Sequence, residues 1–164
     1  MVEVNIRPAN ADDADAIADL WAQLVAYHQL LDEDMPGAAL NGPKRYARRL
    51  VQRVDDSYLR TFVAEVDGRV VGFILGSIVD LMPDIFDQEP GGFLADVFVD
   101  PHYRRLGVGR RLVAALTAWF REQNIHYFDW NVAVKNPEGR AFWLAMGGRE
   151  LMVRMRADLK DEEA

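Results

Sequence analysis

No cysteine occurs among the 164 residues, which removes disulfides, thiolate metal sites and cysteine nucleophiles together. Histidine is nearly as scarce. His28, His102 and His126 stand far apart without metal-ligand spacing, so no metal is expected. No apolar run approaches the ~18 residues of a membrane helix. Met1–Arg7 lacks the basic-then-apolar order of a signal peptide, so no membrane partner is expected and the cytoplasm is the expected compartment. Basic side chains are outnumbered, 19 against 26, for a net charge of −7. Such a surface repels phosphate backbones, which argues against nucleic acid and favours cationic small molecules. Repeats and low-complexity linkers are also missing, so residues 1–164 read as a single domain.

What is present is a regular alternation of strand and helix signals. Val2–Arg7 alternates apolar and polar residues and reads as a first strand. Asn10 can cap a helix whose first turn holds Asp12 and Asp13, and Ile17, Leu20, Trp21, Leu24, His28 and Leu31 follow at helical spacing. Pro36, Gly37, Gly42 and Pro43 bound a loop, and a second helix has Tyr46, Leu50 and Val54 on its buried side. Thr61–Val66 and Arg69–Val79 flank Asp67-Gly68, a strong hairpin signal. Asp80–Gly92 is a loop, and Phe93–Val99, apolar on both faces, is a central strand. A helix from about Val108 to Gln123, a strand over Tyr127–Val134, a short helix opened by Asn136-Pro137 and a last strand within Leu151–Leu159 complete the chain. The order predicts an α/β (mixed α+β) fold, a mixed and mostly antiparallel central sheet with helices on both faces.

The chemistry concentrates between Asp96 and Leu112. A buried strand ends at Pro101, a basic turn follows, and Gly107 and Gly109 stand where a helix begins. Unpaired amides at a helix start suit an anion, and glycine lets a phosphate approach them. Arg104, Arg105, Arg110 and Arg111 add positive charge at the same point. The segment reads as a pyrophosphate cradle. It is not a P-loop, since no lysine follows the glycines, and the dinucleotide fingerprint lacks its third glycine.

The run Arg104-Arg105-Leu106-Gly107-Val108-Gly109, directly after Val99-Asp100-Pro101, resembles the acetyl-CoA signature of the GNAT family of N-acetyltransferases. A second family motif is similar to Asn136-Pro137-Glu138-Gly139-Arg140-Ala141-Phe142-Trp143-Leu144-Ala145-Met146-Gly147-Gly148, and the resemblance extends from Ile6-Arg7-Pro8-Ala9 to the final strand. It implies the GNAT-like acyl-CoA N-acyltransferase fold, with acetyl-CoA as acyl donor. Main-chain groups of Val97, Phe98 and Val99 would bind the pantetheine arm where central strands splay. Amides from Leu106 through Gly107, Val108 and Gly109 to Arg110 would hold the pyrophosphate beside Arg104 and Arg105, with Asn136 opposite. Trp143 stands where the family often has a tyrosine thought to protonate the departing thiolate, and an indole N–H is a donor but not an acid. Tyr103 is then a candidate replacement, and a slower enzyme is the other option.

An alkyl amine with a pKa of ~10.4 is neutral in roughly one molecule in a thousand at pH 7, so a base must take its proton. Asp96 is the candidate, on a strand face expected to be shared with Leu94 and Phe98, where burial would raise its pKa. A buried aspartate satisfied by loop amides is the plain alternative. The expected reaction is acetyl transfer to a primary amine of a small cationic molecule by direct attack on the thioester. Acetylation of a protein lysine or N-terminus, and a non-catalytic acyl-CoA-binding module, are the alternatives. Family members are often dimers, so a homodimer is one expected state.

Overall fold

The computed structural model describes residues 3–80 and 85–159. Strand β1 (Asn5–Pro8) is followed by a 3-10 turn and helix α1 (Ala14–Leu31). Asn10 closes a capping box, its side chain accepting from the Asp12 amide while its own amide donates to the Asp13 carboxylate. Helix α2 (Gly42–Val51) leads to the hairpin β2 (Leu59–Val66) and β3 (Arg69–Val79). Asp67 and Gly68 take φ of 49° and 78°, the left-handed pair that a two-residue hairpin turn requires. Strand β4 (Gly91–Val99), helix α3 (Val108–Glu122), strand β5 (Phe128–Trp130) and helix α4 (Pro137–Ala145) follow.

The five strands lie in sequence order, β1-β2-β3-β4-β5, antiparallel except for the parallel pair β4–β5 that α3 connects. This is the expected mixed sheet. One face packs on α1 and α2 through Ile17, Leu20, Leu50, Val63, Phe73 and Phe98. The other packs on α3 and α4 through Ile74, Leu94, Leu112, Leu116, Phe120 and Trp143. Both faces of β3 are therefore dry, and its Phe73 and Ile74 have no exposed surface.

Three expectations are corrected. Helix α2 stops at Val51, so Val54 lies beyond it rather than on its buried side. The strand expected over Tyr127–Val134 holds only Phe128–Trp130, because β4 and the chain after β5 diverge. Leu151–Leu159 forms no strand, and its side chains lie exposed. The expected first strand begins in part outside the described residues, as does part of the Asp80–Gly92 loop.

Candidate active site

β4 and β5 are joined by only three rungs, Gly92–Phe128, Phe93–Asp129 and Leu94–Trp130. Beyond them the two chains part around a cleft of about 670 Å³ lined by residues 94–99 on one side and 130–133 on the other. A β-bulge opens the same stretch. Leu75 faces Asp96 and Gly76 faces Leu94, which leaves Ala95 without a partner on β3. The Asp100 amide donates to the Val71 carbonyl, and this sets the ladder's parity. By that parity Asp96 and Phe98 direct their backbone groups to β3, and Val97 and Val99 direct theirs into the cleft. An extended amide-bearing ligand would find an open sheet edge there.

The bulge also corrects the reading of the strand faces. Asp96 and Phe98 turn to the α1–α2 side, and Leu94 turns to the α3 side. Asp96 therefore does not share a face with Leu94.

At the end of β4 the Asp100 carboxylate accepts the His102 amide at 2.9 Å, and a 3-10 turn over Pro101–Tyr103 reverses the chain. Arg105 and Gly107 take φ of 63° and 78°, and α3 begins at Val108 with no side-chain cap on its first amides. A Cβ built on Gly107 meets nothing within 4 Å, so glycine serves the backbone conformation rather than packing. Gly107, Val108, Gly109, Arg104, Arg105 and Arg110 line the cleft, whereas Leu106 points outward, 47% exposed.

The arginines divide the work unevenly. Arg104 donates through Nε to the Val99 carbonyl at 3.1 Å, and its guanidinium lies over the rings of Tyr27 and Phe98. It closes one end of the open edge as well as carrying charge. Arg111 reaches the Val4 carbonyl at 3.1 Å, away from the cleft. Arg105 and Arg110 remain for an anion, with Arg110 against the Met146 sulfur. Asn136 faces them as the N-cap of α4. Its Oδ1 accepts from the Gly139 amide at 2.9 Å and from the Tyr27 hydroxyl at 3.3 Å.

Asp96 sits at the other end, beside α1 and α2. Its Oδ2 accepts the Tyr46 hydroxyl at 2.7 Å, and Tyr46 is fixed by stacking on Trp21 at 4.7 Å and by an edge contact with Phe73. Burial pushes the Asp96 carboxyl above its ordinary pKa, against the opposing pull of the Tyr46 hydrogen bond and of His28. Burial also holds His28 below its ordinary value, although the Asp96 charge acts the other way. The Tyr46 phenol is pushed far up by burial and by the Asp96 charge, so it stays a donor. The raised carboxyl can receive a proton while Tyr46 keeps Asp96 oriented.

Tyr103 is not brought to this place. It packs against the α3-side core and is not among the residues that line the cleft. Trp143 does line the cleft, yet only 9% exposed, in a run of aromatic contacts linking Phe120, Phe128, Trp130 and Phe142. The sequence places Tyr46 on the buried side of its helix and His28 at helical spacing, and neither position signals the Tyr46 hydrogen bond to Asp96 or the influence of His28 on it. Tyr27 was missed altogether. Fifty positions separate Tyr46 from Asp96, and no local signal marks that pair.

Among the described residues no group of three potential metal ligands occurs, and no helix is long and apolar enough to cross a membrane. The sequence profile of the acetyltransferase (GNAT) family matches residues 24–147. An uncharacterized N-acetyltransferase of Methanocaldococcus jannaschii is 36% identical over 90 residues, 54% of this chain and 52% of that protein, so the match spans about half of its length. An aminoglycoside N(6')-acetyltransferase type 1 of Stenotrophomonas maltophilia is 30% identical over 146 residues, 88% of this chain and 86% of that one. Among solved structures, the aminoglycoside N-acetyltransferase AAC(6')-Iy in complex with CoA superposes with a TM-score of 0.68 at 22% identity, covering 96% of this chain and 97% of that one, a likeness of fold. With the profile covering most of its length and its helix-start cradle opening on a splayed sheet, the chain is an enzyme of the acetyltransferase (GNAT) family.

Proposed function

We propose that this enzyme transfers an acetyl group from acetyl-CoA to a primary amine of a small cationic molecule. The observation that carries the reading is the continuity of one cleft, from the amides after Gly107 past the open edge of Val97 and Val99 to Asp96. The pyrophosphate would rest on the α3 amides with Arg105 and Arg110, and the pantetheine arm would pair with β4 as a short added strand. The thioester then falls beside Asp96.

In the reaction Asp96 takes a proton from the bound ammonium, directly or through water. The freed nitrogen lone pair attacks the thioester carbonyl and the N–C bond forms. The C–S bond then breaks as coenzyme A leaves as thiolate, and the nitrogen gives up its second proton to water or to that thiolate to become the neutral amide. Backbone N–H groups at the splay are placed to support the oxyanion. A thiol with a pKa of ~8.5 can depart as thiolate, so the absence of a phenol at Trp143 does not stop the reaction.

The preference for a cationic acceptor rests on the net charge of −7 and on Asp96, and it agrees with the Stenotrophomonas relative being an aminoglycoside N(6')-acetyltransferase. Purified protein would be incubated with acetyl-CoA and a panel of polyamines, aminoglycosides, amino-acid amides and lysine peptides, following thiol release. Turnover with small polyamines or aminoglycosides is expected. Asp96→Asn should lose about 10²–10⁴ in kcat while binding acetyl-CoA as before. Turnover confined to lysine peptides would overturn the acceptor class, and a fully active Asp96→Asn would overturn the base.

A further inference from the structure

Acylation of an ammonium strips two protons from one nitrogen, and a single carboxylate can hold only one of them. Tyr46 bonds the Oδ2 of Asp96, so Oδ1 is left for the first proton. The second needs an acceptor of its own. Trp143 cannot serve, since an indole N–H only donates, and Tyr103 does not line the cleft. Imidazole is the side chain that accepts and returns a proton near neutral pH. Of the three histidines, His28 alone lines the cleft.

His28 is placed there by α1. Leu24, Tyr27 and His28 all line the cleft, and their spacing of three and four residues puts them on one side of that helix. Asp96 turns to the same side of the sheet, where the Tyr46 hydroxyl of α2 meets it at 2.7 Å. The His28 ring lies beside Tyr27, with centroids 6.1 Å apart and planes tilted by 45°. Tyr27 is held in turn by Asn136 and by the Arg104 guanidinium, which steadies its neighbour. Burial keeps the imidazole below its ordinary pKa, so at neutral pH it meets the cleft with a lone pair. The titratable and charged groups about it are Asp96 from β4, Tyr46 from α2 behind that carboxylate, and Arg104 from the turn before α3. At the end of α1 comes Asp32, paired with Lys135, whose amide donates to the His28 carbonyl.

We propose that His28 is the second proton acceptor of acetyl transfer, a role that rests on the reading of this cleft as an amine-acetylating site with Asp96 as first base. Asp96 takes one proton from the ammonium, and the amine attacks the thioester carbonyl. The adduct nitrogen then bears two hydrogens and a positive charge. It gives one proton to the His28 imidazole, directly or through a water, as the C–S bond breaks and the thiolate departs. The imidazolium passes that proton to the thiolate, and Asp96 releases its own to solvent. Of the two protons taken from nitrogen, one ends on sulfur and one in water.

The test uses the whole chain and an amine that the wild type acetylates. His28→Gln should lose about 10²-fold in kcat, with acetyl-CoA binding by calorimetry and far-UV circular dichroism unchanged. Free imidazole should restore part of the rate to His28→Ala and none to Asp96→Asn. A second arm needs no turnover. In NMR titrations the His28 ring should gain its proton at lower pH in Asp96→Asn than in the parent, because the Asp96 charge favours the imidazolium. A wild type that acetylates no amine would fail the acetyl-transfer reading, and the role of His28 with it. In an active wild type, parental kcat for His28→Gln would overturn the second acceptor and leave Asp96 in place. So would a loss that imidazole does not relieve, or a His28 titration unmoved by Asp96→Asn.

Discussion

At the scale of single residues the site turns on Tyr46 and Asp96. The hydroxyl at 2.7 Å favours the ionised carboxylate, while burial works against it. Tyr46→Phe removes the favourable part and leaves the burial. The Asp96 pKa should therefore rise further, and the acid limb of the pH–kcat/KM profile should move to higher pH. The groups that face Asp96 are Tyr46 from α2 and His28 from α1, and His28 is unchanged by that substitution. At pH well above the limb the Tyr46→Phe rate should approach that of the parent. A variant whose rate falls equally at every pH would show that Tyr46 acts on folding or binding instead. Asp96, the proposed base, stands out in the sequence, since a carboxylate on an otherwise apolar central strand is conspicuous. Its partners do not, because they reach it from two helices whose packing angle no local pattern encodes.

At the scale of elements, the join between β1 and α1 is held by charge. The Asp13 carboxylate, 4% exposed, takes both terminal nitrogens of Arg7 at 2.8 and 2.9 Å and also accepts the Asn10 amide. Burial would raise the Asp13 pKa, but the Arg7 bond, the Asn10 amide and the Arg7 charge together bring it below the ordinary value. The stability this contributes is present above the unfolded aspartate pKa and is lost as pH falls through the lower folded one. Asp13→Asn should cost about 1.5–3 kcal/mol at pH 7, the range for hydrogen bonds to charged groups. Thermal melts should show the gap between parent and variant narrowing in acid. The sequence revealed the cap here, because Asn10, Asp12 and Asp13 are local. It also revealed the hairpin, where Asp67-Gly68 dictates the turn. It did not reveal the limits of α2 and β5. Those ends are set by where neighbouring elements stop touching them, and the Ala95 bulge, one unpaired residue on β4, changes which face Asp96 looks toward without any composition signal.

At the scale of the whole molecule, the sheet is nearly two bodies. β2 to β4 share long antiparallel ladders that β1 extends by four rungs, whereas β5 and α4 are attached by three rungs, the aromatic run through Trp130 and Trp143, the Arg110–Met146 contact and two ties across the cleft. The ties are Tyr27 to Asn136 and Asp32 to Lys135, the latter at 3.0 Å. The elements of the first body are legible from sequence as strong periodic patterns. The weak join is not, since it depends on how far two parallel strands stay together. So sparse an attachment means that the β5–α4 arm can open at a lower free energy than the ladder beside it. In amide hydrogen exchange the Phe128–Trp130 backbone should lose its protons well before Val71–Leu75. A coenzyme lying between the two bodies would supply the rungs the protein itself omits. Saturating acetyl-CoA should then slow exchange on both banks at once, in Val97–Val99 and in Phe128–Trp130, and leave the β2–β3 ladder as it was. On the proposed binding mode, the gap in the sheet leaves part of the fold's own hydrogen bonding to be completed by its substrate.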